Sequence, residues 1–115
     1  MSESVRRYGL AAALDVVGGK WKPLVLWRLK AGPQRFGELR RLVGTISEKM
    51  LIQQLREMEA DGIVTRRDFH EVPPRVEYAA TEFGESLLEA LKPLCDWGST
   101  HMGRIEATKE AAPKV

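Results

Sequence analysis

The apolar residues of this chain change their spacing twice. From Leu10 to Met58 they recur at three and four positions, the period of a helix face; from Val64 to Ala79 they alternate at two; from Thr81 the helical spacing returns. A chain patterned this way is mainly helical with one β-hairpin inside the helical order, an α+β arrangement. Leu10, Ala13, Leu14 and Val17 mark a first short helix stopped by Gly18-Gly19. Trp21, Leu24, Val25 and Leu29 mark a second, ending by Gly32-Pro33. Pro23 is tolerated in its first turn, where the missing N–H has no intrahelical partner. Phe36, Leu39, Leu42 and Val43 mark a third, closed by Gly44.

The fourth helix has the clearest start. Ser47 precedes a run, Glu48 to Asp61, without glycine or proline, and its hydroxyl can accept from an N–H two or three residues on; Gly62 supplies a left-handed stop. Val64, Arg66 and Asp68 then alternate with Thr65, Arg67 and Phe69, and Val76 and Tyr78 with Arg75, Glu77 and Ala79, so His-Glu-Val-Pro-Pro forms a stiff hairpin tip. Thr81 suits the cap of a last long helix with the stripe Leu87, Leu88, Leu91, Leu94, Cys95 and Met102. Pro93 removes the bond to the carbonyl of Glu89, which predicts a kink or break near residues 89–93. The chain is expected to fray from about Lys109.

With 115 residues, 43% of them hydrophobic and 30% charged, the chain fits one domain over residues 1–115. No apolar run approaches the roughly 20 residues that span a bilayer, and MSESVRRYGL lacks the apolar stretch of a signal peptide, so a cytoplasmic location is expected. Cys95 is the one cysteine and the histidines, His70 and His101, are scattered, which excludes an intrachain disulfide and disfavours structural zinc. No phosphate loop, nucleophile motif or metal-spaced His and carboxylate pair is present, so neither an enzyme nor a cofactor is expected. The net charge of +2 is unevenly spread: 13 Lys and Arg against 7 Asp and Glu up to residue 67 give +6, and 5 against 9 beyond it give −4. One surface suited to a polyanion fits that asymmetry, as does chance clustering.

Two short helices joined by a tight turn, the second capped, followed by a proline-stiffened hairpin, is the order of a winged helix-turn-helix with a two-stranded wing. In the fourth helix Leu51, Leu55 and Met58 share a core stripe. Lys49, Ile52, Gln53 and Arg56 turn to the opposite face, with Met50 and Gln54 on its flanks and Ser47 at its start. Lysine and arginine donate to guanine O6 and N7, glutamine pairs with adenine, and isoleucine meets a thymine methyl, so Ser47, Lys49, Met50, Ile52, Gln53 and Arg56 are the base-reading candidates. A merely solvated face is the alternative. Lys20 and Arg35, near helix starts, are candidate phosphate clamps, joined by Arg66 and Arg75 on the wing. Arg75 is either held toward DNA by Pro73-Pro74 or paired with an acid such as Glu71. Trp21 and Trp27 suit the core; Trp97 suits core, dimer interface or an effector pocket.

The stretches LDVVGGKW, GPQRFGELRRLVGTISEKMLIQQLREMEADGIVTR, EVPPRVEYAATEFG and LCDWG resemble the HxlR family of winged-helix regulators, relatives of the MarR regulators, over roughly residues 8–102. The resemblance implies a cytoplasmic repressor or activator that binds double-stranded DNA as a homodimer on a pseudo-palindromic operator. It implies a recognition helix from Ser47, a wing around residues 70–75, and first and last helices that build the dimer. Members often carry a redox cysteine just ahead of the first helix; Tyr8 holds that place here and cannot form a sulfenic acid or disulfide. Cys95, on the apolar stripe, is expected to face a core or interface. A small-molecule effector near Tyr8 and Trp97 is the expected alternative to thiol sensing. A winged helix serving only protein interaction would need an apolar or acidic recognition face, which Lys49, Gln53 and Arg56 do not supply.

Overall fold

The computed structural model describes residues 8–111. Most of the N-terminal segment weighed as a signal peptide, and the end of the tail expected to fray, lie outside those residues. The elements run α1 (Gly9–Val17), α2 (Trp21–Leu29), β1 (Gln34–Arg35), α3 (Phe36–Val43), α4 (Glu48–Ala60), β2 (Val64–Asp68), β3 (Val76–Ala80), α5 (Glu82–Thr100) and α6 (Met102–Ala111). No helix among the described residues is long and apolar enough to cross a membrane.

Local chemistry sets these boundaries. Gly18 (φ +66°) and Gly44 (φ +104°) end α1 and α3, each donating back to the carbonyl four residues earlier. The Ser47 hydroxyl accepts from the N–H of Met50 at 3.1 Å and starts α4. Thr81 starts α5 by accepting from the N–H of Gly84 at 3.0 Å, while its own hydroxyl donates to the carbonyl of Gly62 at 2.6 Å. One threonine thus ties the exit of α4 to the entry of α5.

The core is the helix-turn-helix itself. Val25, Leu26 and Leu29 of α2, Leu39 of α3, Ile46 of the turn, Leu51, Leu55 and Met58 of α4, and Ile63 and Val64 leading into β2 are all at most 2% exposed. Burying each such side chain stabilises the fold by about 1.5–3 kcal/mol. From α5 only Leu88 among the large apolar residues joins them fully, and α1 and α6 bury none. Trp21 packs against this core as expected, but Trp27 does not: it stands 39% exposed with the Lys30 ammonium 4.8 Å from its ring.

The sheet has three antiparallel strands in the order β1-β3-β2, so the hairpin wing gains a short third strand from the α2–α3 connection. Its two residues are too few to show a period of two in sequence. Of the kink or break expected near residues 89–93, the break is absent: α5 continues through Pro93 to Thr100 before an interruption at His101. Both Pro93 and Glu89 are exposed, so water can satisfy the carbonyl that proline leaves without a donor. The apolar stripe of α5 also divides: Leu87 and Leu88 pack inward, whereas Leu94 (63%), Trp97 (56%) and, beyond the break, Met102 (52%) are open, and Cys95 is exposed rather than buried.

Candidate nucleic-acid interface

Helix α4 is fixed on one side by Leu51, Leu55 and Met58, which leaves the opposite side to solvent. Lys49, Gln53 and Arg56 are exposed there and Ile52 is half-buried between them; with Glu48 and Glu57 they line one shallow concavity. The structure therefore gathers four of the six base-reading candidates on a single face. Ser47 stands at its edge with an oxygen engaged in the cap. Met50 departs from expectation: it packs against the core and its sulfur accepts from Gln54 Nε2 at 3.4 Å, because its helical position turns it toward the buried stripe.

Glu57 is tied into this face from behind. Lys22 Nζ of α2 lies 2.7 Å from Glu57 Oε1, and Gln53 Nε2 donates to Glu57 Oε2 at 3.3 Å. The Lys22 bond first, then the Gln53 bond and the Lys22 charge, hold the Glu57 carboxyl below its ordinary value of 4.5. Beside the start of α4, Arg40 and Arg41 of α3 line a second depression with Phe36, Gly37, Gly44 and Glu48. Arg40 Nε donates to the carbonyl of Ile46 at 3.3 Å and braces the turn; Arg41 forms an ion pair with Glu38 at 3.5 Å.

The wing sorts its arginines by strand register. Arg35 and Arg67 both stand opposite Glu77, one on each side, whereas Arg66 stands opposite Tyr78 on the other face of the sheet. Arg35 and Arg66, both exposed, are thus not brought together, and Arg67 shares the face of Arg35 instead. Arg75 is engaged within the wing. Its Nε is 3.2 Å from Glu71 Oε2 without hydrogen-bond alignment, its Nη1 is 3.8 Å from Glu77 Oε2, and its guanidinium lies 3.6 Å over the ring of Phe69. The acidic pairing weighed for Arg75 is the one formed, because the hairpin tip folds Glu71 back beside it. Lys20, exposed at the start of α2, holds its Nζ 4.7 Å over the Trp21 ring.

Tyr8 stands at the N-cap position of α1, without a side-chain capping bond, and is 64% exposed. The Trp97 ring lies 5.0 Å from that of His101, in a groove continued by Arg104, Ile105, Thr108 and Lys109. Sequence inspection missed Lys22, Glu57, Arg41 and Arg67 at this surface. The i, i+4 pair Gln53 and Glu57 was visible as a signal; the other three needed the packing of helices and the strand register.

The sequence profile of the HxlR-like helix-turn-helix family matches residues 16–106. The HTH-type transcriptional regulator YkvN of Bacillus subtilis (strain 168) is 53% identical over 90 residues, covering 78% of this chain and 76% of the relative. YtcD of the same organism is 47% identical over 102 residues, covering 87% and 81%. Among solved structures, the redox regulator HypR in its reduced form is similar with a TM-score of 0.81 at 43% identity, over 87% of this chain and 99% of HypR.

Proposed function

This chain belongs to the HxlR-like helix-turn-helix family of transcriptional regulators, which are not enzymes, and from that premise we propose that it binds a pseudo-palindromic operator as a homodimer and reads it with α4. The observation that carries this reading is the division of α4 into a wholly buried stripe and an exposed face of Lys49, Gln53 and Arg56. Those side chains match the donor and acceptor pattern of major-groove base edges. Lys20 and Arg35 add charge suited to phosphates, which positions a protein on DNA without reading sequence.

Two-fold pairing is supported by what the fold leaves uncovered. Leu10 and Leu14 of α1, Leu94 and Trp97 of α5, and Met102 of α6 are each more than half exposed, an apolar area unusual for a chain that stays alone. A dimer built there presents two recognition helices to grooves about one helical turn, or a multiple of it, apart. A thiol switch ahead of the first helix does not carry over from that redox regulator, since Tyr8 holds that place and offers no sulfur.

Footprinting and equilibrium binding to operator variants test the assignment. Gln53→Ala or Arg56→Ala is expected to relax preference at particular base pairs and to cost about 1–3 kcal/mol each, while Lys20→Ala or Arg35→Ala weakens all sequences alike. A uniform loss for all four would remove α4 as the reader.

A further inference from the structure

We propose that Glu57, anchored by Lys22, is a positioning residue that fixes which end of the Gln53 side-chain amide faces outward, and so sets the class of base that Gln53 accepts. The inference rests on α4 being the recognition helix. An ionised carboxylate has only acceptor sites, so the group it contacts must offer a donor. Gln53 lies one helical turn before Glu57, and its Nε2 donates to Glu57 Oε2 at 3.3 Å. The amide nitrogen is thereby turned along the helix toward Glu57, leaving Oε1 and one remaining N–H for a ligand.

The other carboxylate oxygen belongs to Lys22. Its Nζ is 2.7 Å from Glu57 Oε1, and its side chain is only 11% exposed, so Glu57 is fixed to α2 and not merely to its own helix. Lys22 reaches across because Gly18 lacks a side chain: a Cβ there would stand 2.9 Å from Lys22 Cδ. Gly18, Lys22, Glu57 and Gln53 form one chain of contacts from the end of α1 to the exposed face of α4. The lysine also holds the carboxyl below its ordinary value, which favours the ionised, acceptor-only form.

The consequence is chemical. A Gln53 whose Oε1 is presented outward favours a base with an amino donor in the major groove, adenine N6 or cytosine N4. Guanine O6 and thymine O4 would meet that oxygen with another acceptor and could use only the one remaining N–H. If residue 57 carried an amide, which both donates and accepts, the Gln53 amide could turn over and serve either kind of base.

The test is selection of bound duplexes from a randomised pool by the full chain, by Gln53→Ala, by Glu57→Gln and by the double variant. Gln53→Ala should locate one base pair per half-site at which preference disappears. At that position the unaltered chain should favour adenine or cytosine about tenfold, and Glu57→Gln should reduce this to about twofold with other positions held. Glu57→Ala should give the same local loss, and Glu57→Gln should add nothing in the Gln53→Ala background. Full retention of the preference in Glu57→Gln overturns the proposal while leaving α4 as reader, as does an equal loss at every position or a guanine or thymine preference in the unaltered chain. If Gln53→Ala changes no position, the assignment of Gln53 as a base reader fails and the positioning role fails with it.

Discussion

Glu57 faces two donors and the solvent at once, and its titration reports the contacts it makes. Its carboxyl is lowered in the folded chain, chiefly by the Lys22 bond and then by Gln53, so the contribution to stability is present above its unfolded value near 4.5 and is lost as pH falls through the lower folded value. Thermal unfolding of the unaltered chain and Glu57→Gln, followed from about pH 7 to about pH 3, should show a gap that narrows below pH 4.5. A gap constant across that range would mean that Lys22 does not hold the ionised carboxylate. Because Glu57 is 45% exposed, added salt should also shrink the gap. At this scale the sequence was only partly legible. The exposure of Lys49, Gln53 and Arg56 followed from helical period alone, since Leu51, Leu55 and Met58 leave no other orientation. The fate of Arg75 did not, because a guanidinium beside Glu71, Glu77 and Phe69 is settled by a turn geometry that no spacing encodes.

Among the elements, the junction of α4, β2 and α5 is the most tightly specified. Gly84, in the first turn of α5, is buried, and a Cβ built on it would collide with the backbone carbonyl of Ile63. Helix propensity favours alanine over glycine by up to about 1 kcal/mol, but the obstacle is backbone and cannot swing aside, so the steric effect wins. Gly84→Ala is expected to destabilise by about 1–3 kcal/mol in denaturant unfolding, and an unchanged midpoint would show that α5 can lift off Ile63 freely. The caps at Ser47 and Thr81 and the stops at Gly18, Gly44 and Gly62 were readable because each is a local hydrogen-bond or φ requirement. Strand β1 and the unbroken passage of α5 through Pro93 were not, since one depends on pairing with β3 and the other on an exposed carbonyl. Gly84 itself gave no signal, its need for a bare Cα arising from residue 63.

The whole molecule is longer than its residue count predicts. Its radius of gyration is 16.5 Å with extents of 52 × 37 × 27 Å, against about 13 Å expected for a compact chain of this length. The apolar side chains of α1 and α6, and of the second half of α5, contribute little to the core, so most of the exposed Leu and Trp surface lies outside the helix-turn-helix. Dimerisation over that surface would bury it, and Cys95 stands between the exposed Leu94 and Trp97. The sequence placed Cys95 on an apolar stripe facing a core or interface; the folded chain leaves it exposed, and apolar spacing does not separate those two settings because both ask for the same residue types. The chain should therefore be dimeric at micromolar concentration by light scattering, whereas Leu94→Glu should be monomeric and lose operator affinity. Cys95 should react slowly with a thiol reagent in the dimer and quickly in Leu94→Glu, because the interface and not the core shields it. With Tyr8 in place of a sulfur ahead of α1, mild peroxide should leave operator binding unchanged. Release of the operator by low peroxide from the unaltered chain, with Cys95→Ser remaining bound, would instead make Cys95 a redox switch and place it where oxidant reaches it in the assembled dimer.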